Sequence, residues 1–405
     1  MVNIAVLGYG TVGSGVVEVI NTNSSSINKK AGEEIQIKYV LDLRDFPEDP
    51  VQDKIVHDFN VILKDDDIKI VVEVMGGLNP AYSFVKQCLE AGKSVCTSNK
   101  ELVAKYGPEL LQIARDKNIN FLFEASVGGG IPIIRPLNSS LTADEIYEIT
   151  GILNGTTNYI LSKMSEEGWE FDDALKKAQE FGYAERNPEA DIEGYDACRK
   201  IAILSSLAFG NHVDYEDIYT EGISKITGKD IQYAKKLGMA IKLLADSKRD
   251  GDHFYAMVAP FMIVKSHPLF NINDVFNGIF VKGNVIGDVM FYGSGAGKLP
   301  TASAVVADVV DATKHLKRNV MSFWSSKKLE LTSIESAKRR FFVRIHGNQD
   351  AMLADIQAAF GTVEVVTLEG VKDEFGLITQ VMTEGQYHEA AGKLDTILSM
   401  IRIKG

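Results

Sequence analysis

The stretch Gly8-Tyr9-Gly10-Thr11-Val12-Gly13 restricts the fold of this chain more than any other, because the β-rich run Val2 to Leu7 leads into it and a helical pattern leads out. Three glycines at this spacing are a weak signal alone and a strong one between a strand and a helix. The first glycine makes the tight turn, the second lets the backbone approach a pyrophosphate, and the third lets helix and strand pack closely. Amides at the helix N-terminus then face the negative charge. Residues Gly8 to Gly13 are therefore assigned to a bound dinucleotide.

Short β-branched runs alternate with amphipathic segments to about residue 130: Ile4 to Leu7, Ile35 to Leu41, Ile70 to Val74, Ser94 to Cys96 and Ile119 to Phe123. That alternation implies βαβ units around a parallel sheet. A chain of 405 residues, 45% of them hydrophobic, also supplies more than one core. Residues 1–130 are expected to form an α/β, Rossmann-type dinucleotide-binding domain, completed by a returning segment at about 295–320. Residues 131–294 predict an α/β substrate and dimerisation domain, with β runs at Glu145 to Leu153, Phe254 to Val264 and Gly278 to Ile286 and helices after Thr156 and from Asp196 to Phe209. A glycine-rich turn from Tyr292 opens a helix at Pro300. The polar stretch 321–338 reads as a linker. Residues 339–405 read as β (Arg340 to Ile345), α (Gln349 to Phe360), β (Val363 to Leu368), β (Gly376 to Met382), α (Gln386 to Met400) and a short end, a ferredoxin-like string.

A net charge of -12 argues against a nucleic-acid or anionic-membrane surface, which needs a dense basic face. No run reaches the roughly 18 apolar residues of a spanning helix. Cys88, Cys96 and Cys198 are too few and too scattered for a disulfide framework or a metal knuckle. The N-terminus has no basic segment followed by an apolar core. The expectation is a cytoplasmic protein with a small-molecule partner.

The second strand ends in Leu41-Asp42-Leu43-Arg44-Asp45. An acid there bonds the ribose hydroxyls of NAD, whereas an arginine neutralises the 2′-phosphate of NADP. Both are present, and Arg44 tips the reading towards NADP.

The loop Gly182-Tyr183-Ala184-Glu185 is followed by Asp191, Glu193, Asp196 and Lys200. With a helix starting near Asp196, Asp196 and Lys200 share one face at i and i+4. An isolated pair of this kind is usually a surface ion pair. This one adjoins a turn of Gly, Pro and acids and precedes an apolar run, Ile201 to Phe209, that reads as buried. Carboxylates suit a substrate ammonium, and a lysine accepts a hydroxyl proton if burial or a positive neighbour lowers its pKa. Lys100, just after a strand of the first domain, is that neighbour, and it stands where the ligand crevice of an open α/β sheet opens.

Three stretches in this order, Gly151 to Asn158 with Tyr159-Ile160-Leu161, Gly182 to Glu185 with Asp191, Asp196, Arg199 and Lys200, and Tyr292 to Gly297 with Pro300 to Ser303, resemble the homoserine dehydrogenase family from residue 1 to about 320. The resemblance implies interconversion of L-homoserine and L-aspartate 4-semialdehyde with NADP or NAD. It makes Lys200 the acid/base group and Lys100 its assistant beside the cofactor. Glu185 and Asp196 would hold homoserine with Asp191 in support, and Gly295 and Gly297 would let a turn approach the nicotinamide. It further implies a structural monovalent cation, usually sodium, on the Glu124 carboxylate and the carbonyls of Val127, Gly129 and Ile131, and a homodimer. Arg186-Asn187-Pro188 departs from the Pro-x-Pro of many relatives. Thr156 and Thr157 read equally as helix N-caps or as part of a substrate-touching segment. The alternatives are a related amino-acid dehydrogenase and a catalytically silent sensor, which would have no use for a proton-transfer lysine.

The tail resembles an ACT domain, a module that often senses threonine. Ile345-His346-Gly347-Asn348-Gln349-Asp350 lacks the Pro-Gly turn of ligand-binding members, so at most weak inhibition is expected.

Overall fold

The structure, a computed structural model, describes residues 1–321 and 324–405; residues 322 and 323, inside the expected linker, lie outside the described residues. The first sheet comprises β1 (Val2–Leu7), β2 (Ile35–Leu41), β3 (Ile55–Val56), β4 (Ile68–Glu73), β5 (Ser94–Thr97) and β6 (Phe121–Leu122). Its strands are parallel, in the order β3-β2-β1-β4-β5-β6. The chain builds outwards from β1 to β3, then crosses to β4 and builds the other way. This reversal opens a crevice at the carboxyl ends of β1 and β4, where such sheets bind ligands. Continuous apolar runs such as Ile70-Val71-Val72, all fully buried, suit strands covered on both faces. Helix Thr11–Thr22 covers one face beside helix Lys298–Lys314, which returns from far along the chain. They meet at Gly15, where a Cβ would stand 2.9 Å from the Lys298 carbonyl oxygen.

The second sheet contains β7 (Ile146–Ile152), β8 (Met239–Asp250), β9 (His253–Val264), β10 (Phe276–Gly283), β11 (Gly287–Ser294), β12 (Lys338–His346), β13 (Val363–Val366), β14 (Glu374–Thr379) and β15 (Ile397–Lys404). They run in the order β11-β10-β7-β8-β9-β15-β12-β14-β13. Every pairing along this path is antiparallel except β9 with β15. Helices Gly155–Glu166 and Tyr195–Phe209 pack against the sheet. The latter buries Ile201, Ile203 and Leu204 almost completely.

One strand escaped the sequence reading, and two expectations need correction. Strand β8 had no sequence signal, because Lys242, Asp246 and Lys248 interrupt its apolar residues. The last helix spans Glu384–Ala391 rather than running to Met400: a capping box between Thr383 and Gln386 sets its start, and the chain then extends into β15 between β9 and β12. Residues 324–338 are not a free linker, and the C-terminal module is not a separate body. Trp324 is buried edge-on to Phe123 at 5.7 Å and fills the space beside Gly107. Residues 325–328 pair with Asn211–His212, and Thr332 N–H donates to the Phe254 carbonyl at 2.7 Å. Within the module the order β15-β12-β14-β13 is that of a split βαβ fold, yet β15 makes it one sheet with the substrate region. Among the described residues no helix is long and apolar enough to cross a membrane.

Lys242 on β8 ties helix Gly155–Glu166 to the loop before β10, donating to Asn158 Oδ1 at 3.1 Å, the Ile272 carbonyl at 2.5 Å and Asn273 Oδ1 at 2.8 Å. Burial, partly offset by Glu166 and Asp274, pushes its ammonium down to about 8. Between that value and the ordinary lysine range the unfolded chain binds a proton the native chain has shed, so this group adds stability as pH rises. The unfolding free energy of the wild type relative to Lys242→Met should therefore improve by about 3 kcal/mol from pH 7 to pH 10.5. Urea titrations at the two pH values measure it, and a constant difference would refute the desolvation.

Candidate active site

At the end of β1, Gly8 takes φ +100 and its N–H donates to the Leu41 carbonyl at 2.8 Å. A Cβ on Gly13 would overlap the Gly8 carbonyl oxygen, so the third glycine is required for the close approach of helix and turn. Thr11 and Val12 form the first turn of the helix. The Tyr9 N–H donates to Asp42 Oδ2 at 2.8 Å, which links the glycine turn to the end of β2. Arg44 grips the same carboxylate through Nε at 3.0 Å and Nη2 at 3.1 Å, and reaches the Tyr9 carbonyl at 3.2 Å. Against the opposing effect of burial, Arg44 holds the Asp42 carboxyl down to about 2. His57 donates to the Asp42 carbonyl at 2.7 Å, which raises its imidazole above the ordinary range. Asp42 and Arg44 thus form one unit.

Across the crevice two glycine-rich loops pack backbone on backbone. A Cβ on Gly129 would overlap the Gly295 carbonyl, one on Gly295 would overlap the Asn277 amide, and Gly130 N–H donates to the Ser294 carbonyl at 3.0 Å. Gly297 takes φ +121 and starts helix Lys298–Lys314. Nearby, the buried Glu124 carboxylate accepts from the amides of Ile133 at 2.6 Å, Ile134 at 2.8 Å and Arg135 at 2.7 Å. Its Oε1 takes two of these and Oε2 one, so Oε2 retains acceptor capacity for a cation.

Lys100 opens helix Lys100–Asp116, capped by Asn99, and its Nζ lies 2.5 Å from Asp196 Oδ1. Asp196 and Lys200 stand in successive turns of helix Tyr195–Phe209, with Lys200 Nζ 2.8 Å from Asp196 Oδ2 and donating to the Leu153 carbonyl at 2.8 Å. One buried carboxylate therefore bridges two lysines, one from each sheet's helices. Asn154 completes the cluster, its Nδ2 donating to Asp191 Oδ1 at 2.7 Å and Asp196 Oδ2 at 2.9 Å.

The electrostatics follow from this packing. Burial opposes ionisation of Asp196, but Lys200 and Lys100 outweigh it and hold the carboxyl well below its usual range. Asp196 holds the Lys100 ammonium above its ordinary value, against burial. Burial, helped by the charge of Lys100, pulls Lys200 down although Asp196 opposes it. Burial and the Asp196 charge raise Asp191. A lysine with lowered proton affinity beside one that keeps its charge is suited to exchange protons with a substrate.

Lys100, Asp191, Asp196 and Lys200 are thus brought together. Glu185 is not: its residue is exposed on the loop after Gly182, which Thr156 Oγ1 anchors by donating to the Tyr183 carbonyl at 2.6 Å. Nor do Thr156 and Thr157 cap their helix, because Asn154 does, accepting from the Thr157 N–H at 2.9 Å. An asparagine before the helical run was the available signal. Its second role, linking two acids, had none.

A glycine turn of dinucleotide-binding type after β1 and a buried lysine with lowered proton affinity are the parts that hydride transfer coupled to proton transfer requires, which fits a nicotinamide-dependent dehydrogenase of the Rossmann class. The family model described as homoserine dehydrogenase matches residues 132–310, and that described as homoserine dehydrogenase, NAD binding domain, matches residues 8–124. A homoserine dehydrogenase of Synechocystis is 40% identical over 98% of this chain and 96% of its own length. The crystal structure of a homoserine dehydrogenase from Thiobacillus denitrificans superposes with a TM-score of 0.93 at 36% identity, over 100% of this chain and 98% of that one. A hyperthermophilic archaeal homoserine dehydrogenase in complex with NADPH gives 0.66 at 29% identity, over 77% of this chain and 97% of its own. The chain belongs to the homoserine dehydrogenase family and is an NAD(P)-dependent oxidoreductase.

Proposed function

We propose that Lys200 is the acid/base group with which this chain interconverts L-homoserine and L-aspartate 4-semialdehyde, a step of threonine and methionine biosynthesis. The observation that carries the assignment is the bridge that the buried Asp196 carboxylate makes between Lys100, after a strand of the first sheet, and the buried Lys200. Lys200 takes the hydroxyl proton in the oxidative direction and returns it in the reductive one. Lys100 stays protonated, assists at the substrate oxygen and contributes to the cofactor side. Asp196 and Asp191 hold the substrate ammonium, joined by Glu185 when its loop folds inwards. The nicotinamide, when bound, accepts or returns the hydride. Gly295 and Gly297 keep the backbone beside it bare.

Gly8 to Gly13 hold the pyrophosphate, and Arg44 receives the 2′-phosphate of NADP. The archaeal relative bound to NADPH supports that preference. Asp42, locked in the Arg44 fork, tempers it by repelling the same phosphate. Arg44→Ala should lower kcat/KM for NADP+ on the order of tenfold, the worth of one charged hydrogen bond, and barely change that for NAD+. Steady-state reduction of both cofactors with L-homoserine tests this and the activity together. Equal losses would remove Arg44 from cofactor choice, and no turnover with either would favour a dehydrogenase for another amino acid.

Glu124 Oε2 with the carbonyls of Val127, Gly129 and Ile131 offers all-oxygen ligation to a monovalent cation such as sodium. Its work there would be structural, fixing the loop that backs Gly295. The cytoplasm is the assigned compartment, and a homodimer through the substrate region the assigned assembly. The ACT-like module, whose first helix is capped by Asn348 rather than entered through Pro-Gly, is assigned an assembling role with at most weak threonine inhibition.

A further inference from the structure

Glu73 stands at the last position of β4, beside the crevice, and is fully buried. Nothing in the reaction needs its charge directly. Its oxygens nevertheless face both halves of the cofactor side. Oε1 accepts from the amides of Met75 at 2.8 Å and Gly76 at 3.4 Å, which bends the loop after β4. That loop is the wall of the glycine turn: a Cβ on Gly8 would stand 3.1 Å from Met75 Cγ, and Val74 N–H donates to the Leu7 carbonyl at 3.0 Å.

The other oxygen, Oε2, accepts from Thr97 Oγ1 at 2.6 Å at the end of β5. Thr97 Oγ1 in turn accepts from the Asn99 N–H at 2.9 Å. Asn99 caps the helix that begins with Lys100, accepting from Leu102 N–H at 3.1 Å, and its Nδ2 donates to the Gly77 carbonyl at 2.6 Å. These bonds close a ring, from the loop after β4 through Glu73, Thr97 and Asn99 and back to that loop. Lys100 projects from the ring onto Asp196.

We propose that Glu73 is a positioning residue for catalysis, setting the wall of the dinucleotide turn and the helix start that carries Lys100 in one rigid frame. The inference rests on the assignment of Lys100 to the active site. Its consequence is electrostatic as well as geometric. Lys200 is faced by Asp196 from its own helix, Asp191 from the short helix Glu189–Ile192 and Lys100 from the first domain, and of these only Lys100 lowers its affinity for protons. A Lys100 that drifts away lets Lys200 hold its proton to higher pH.

The test measures homoserine oxidation against pH for the wild type, Glu73→Gln, Glu73→Ala, Thr97→Val and, as a control on the underlying assignment, Lys100→Met. Glu73→Gln keeps an acceptor for the Met75 amide and can reverse the bond to Thr97, so it should stay within a few-fold of wild type. Glu73→Ala and Thr97→Val should lose kcat by on the order of a hundredfold, as displacement of a positioned group by about 1 Å does. In both variants the rising limb of the pH profile should move to higher pH. A purely structural role would lower thermal stability and leave that limb in place. If Glu73→Ala does not fold, Thr97→Val decides, and a folded Thr97→Val with unchanged kcat and pH profile overturns the proposal. If Lys100→Met itself turns over normally, the Lys100 assignment fails, and the positioning role fails with it. If Lys100→Met is impaired while Glu73→Ala and Thr97→Val are normal, only the role of Glu73 fails.

Discussion

Lys200→Ala is expected to lose about 10²- to 10⁴-fold in homoserine oxidation, the usual contribution of a general acid-base group, while still binding the dinucleotide. The two halves of that statement come from different parts of the molecule. Lys200 sits behind Asp196 on a helix that packs against the second sheet, whereas the pyrophosphate turn and the Asp42–Arg44 unit belong to the first. Fluorescence titration with NADPH should give equal affinities for wild type and variant. In the wild type the oxidative rate should rise with pH along a limb below the free-lysine value of about 10.4, because burial and Lys100 depress Lys200. A variant that keeps more than a tenth of the activity would transfer the proton to Lys100 and leave Lys200 a structural partner of Asp196.

What was legible in the sequence divides along physical lines. The glycine turn could be read because one backbone geometry forces glycine at fixed spacing. Asp196 and Lys200 could be placed on one face because a helix repeats every 3.6 residues. That both Asp42 and Arg44 were present was equally plain, but not that they grip one another, since a list of residues contains no distances. Strand β8 escaped because Lys242 and Asp246 lie inside the sheet, each satisfied by groups remote in sequence: Asn158 and the Ile272 carbonyl for one, Lys404 for the other. Polar residues read as solvent-facing until such partners are known. Glu73, inside the run Ile70 to Val74, offers no sequence signal of its own for the same reason. Glu185 shows the converse: its motif is in place, yet the loop carries the residue into solvent.

Removing β15 should leave a chain that does not fold, rather than an enzyme freed of regulation. Arg402 on that strand donates to both oxygens of Glu384, at 2.7 and 3.0 Å, and to Glu221 at 2.7 Å; Arg402 and Glu384 are almost wholly buried. Lys404 pairs with Asp246, which also takes Arg339 at 3.6 Å, and with Glu148 at 2.8 Å. Further along the module, Arg344 and Ser399 both reach the fully buried Asp230 of the substrate region, at 3.3 and 2.6 Å. Glu384, Asp246, Glu148 and Asp230 are buried and Glu221 is partly so, and each faces a cation the module supplies. Removing one partner of such a pair costs about 3–5 kcal/mol, so Arg402→Ala alone should consume a large share of a typical stability of about 5–15 kcal/mol. Deletion from residue 397 takes Arg402 from Glu221 and Glu384 and Lys404 from Asp246 and Glu148, leaving Arg339 as the remaining cation for Glu384 and Asp246 and Lys282 for Glu148, and strips β9 of its neighbour, uncovering the edge that holds Phe261 and Ile263. Urea unfolding of Arg402→Ala and the solubility of the deletion measure the effect. A monodisperse, fully active deletion would mean that water reaches those carboxylates easily, and that the continuous sheet is a docking arrangement rather than a condition of folding.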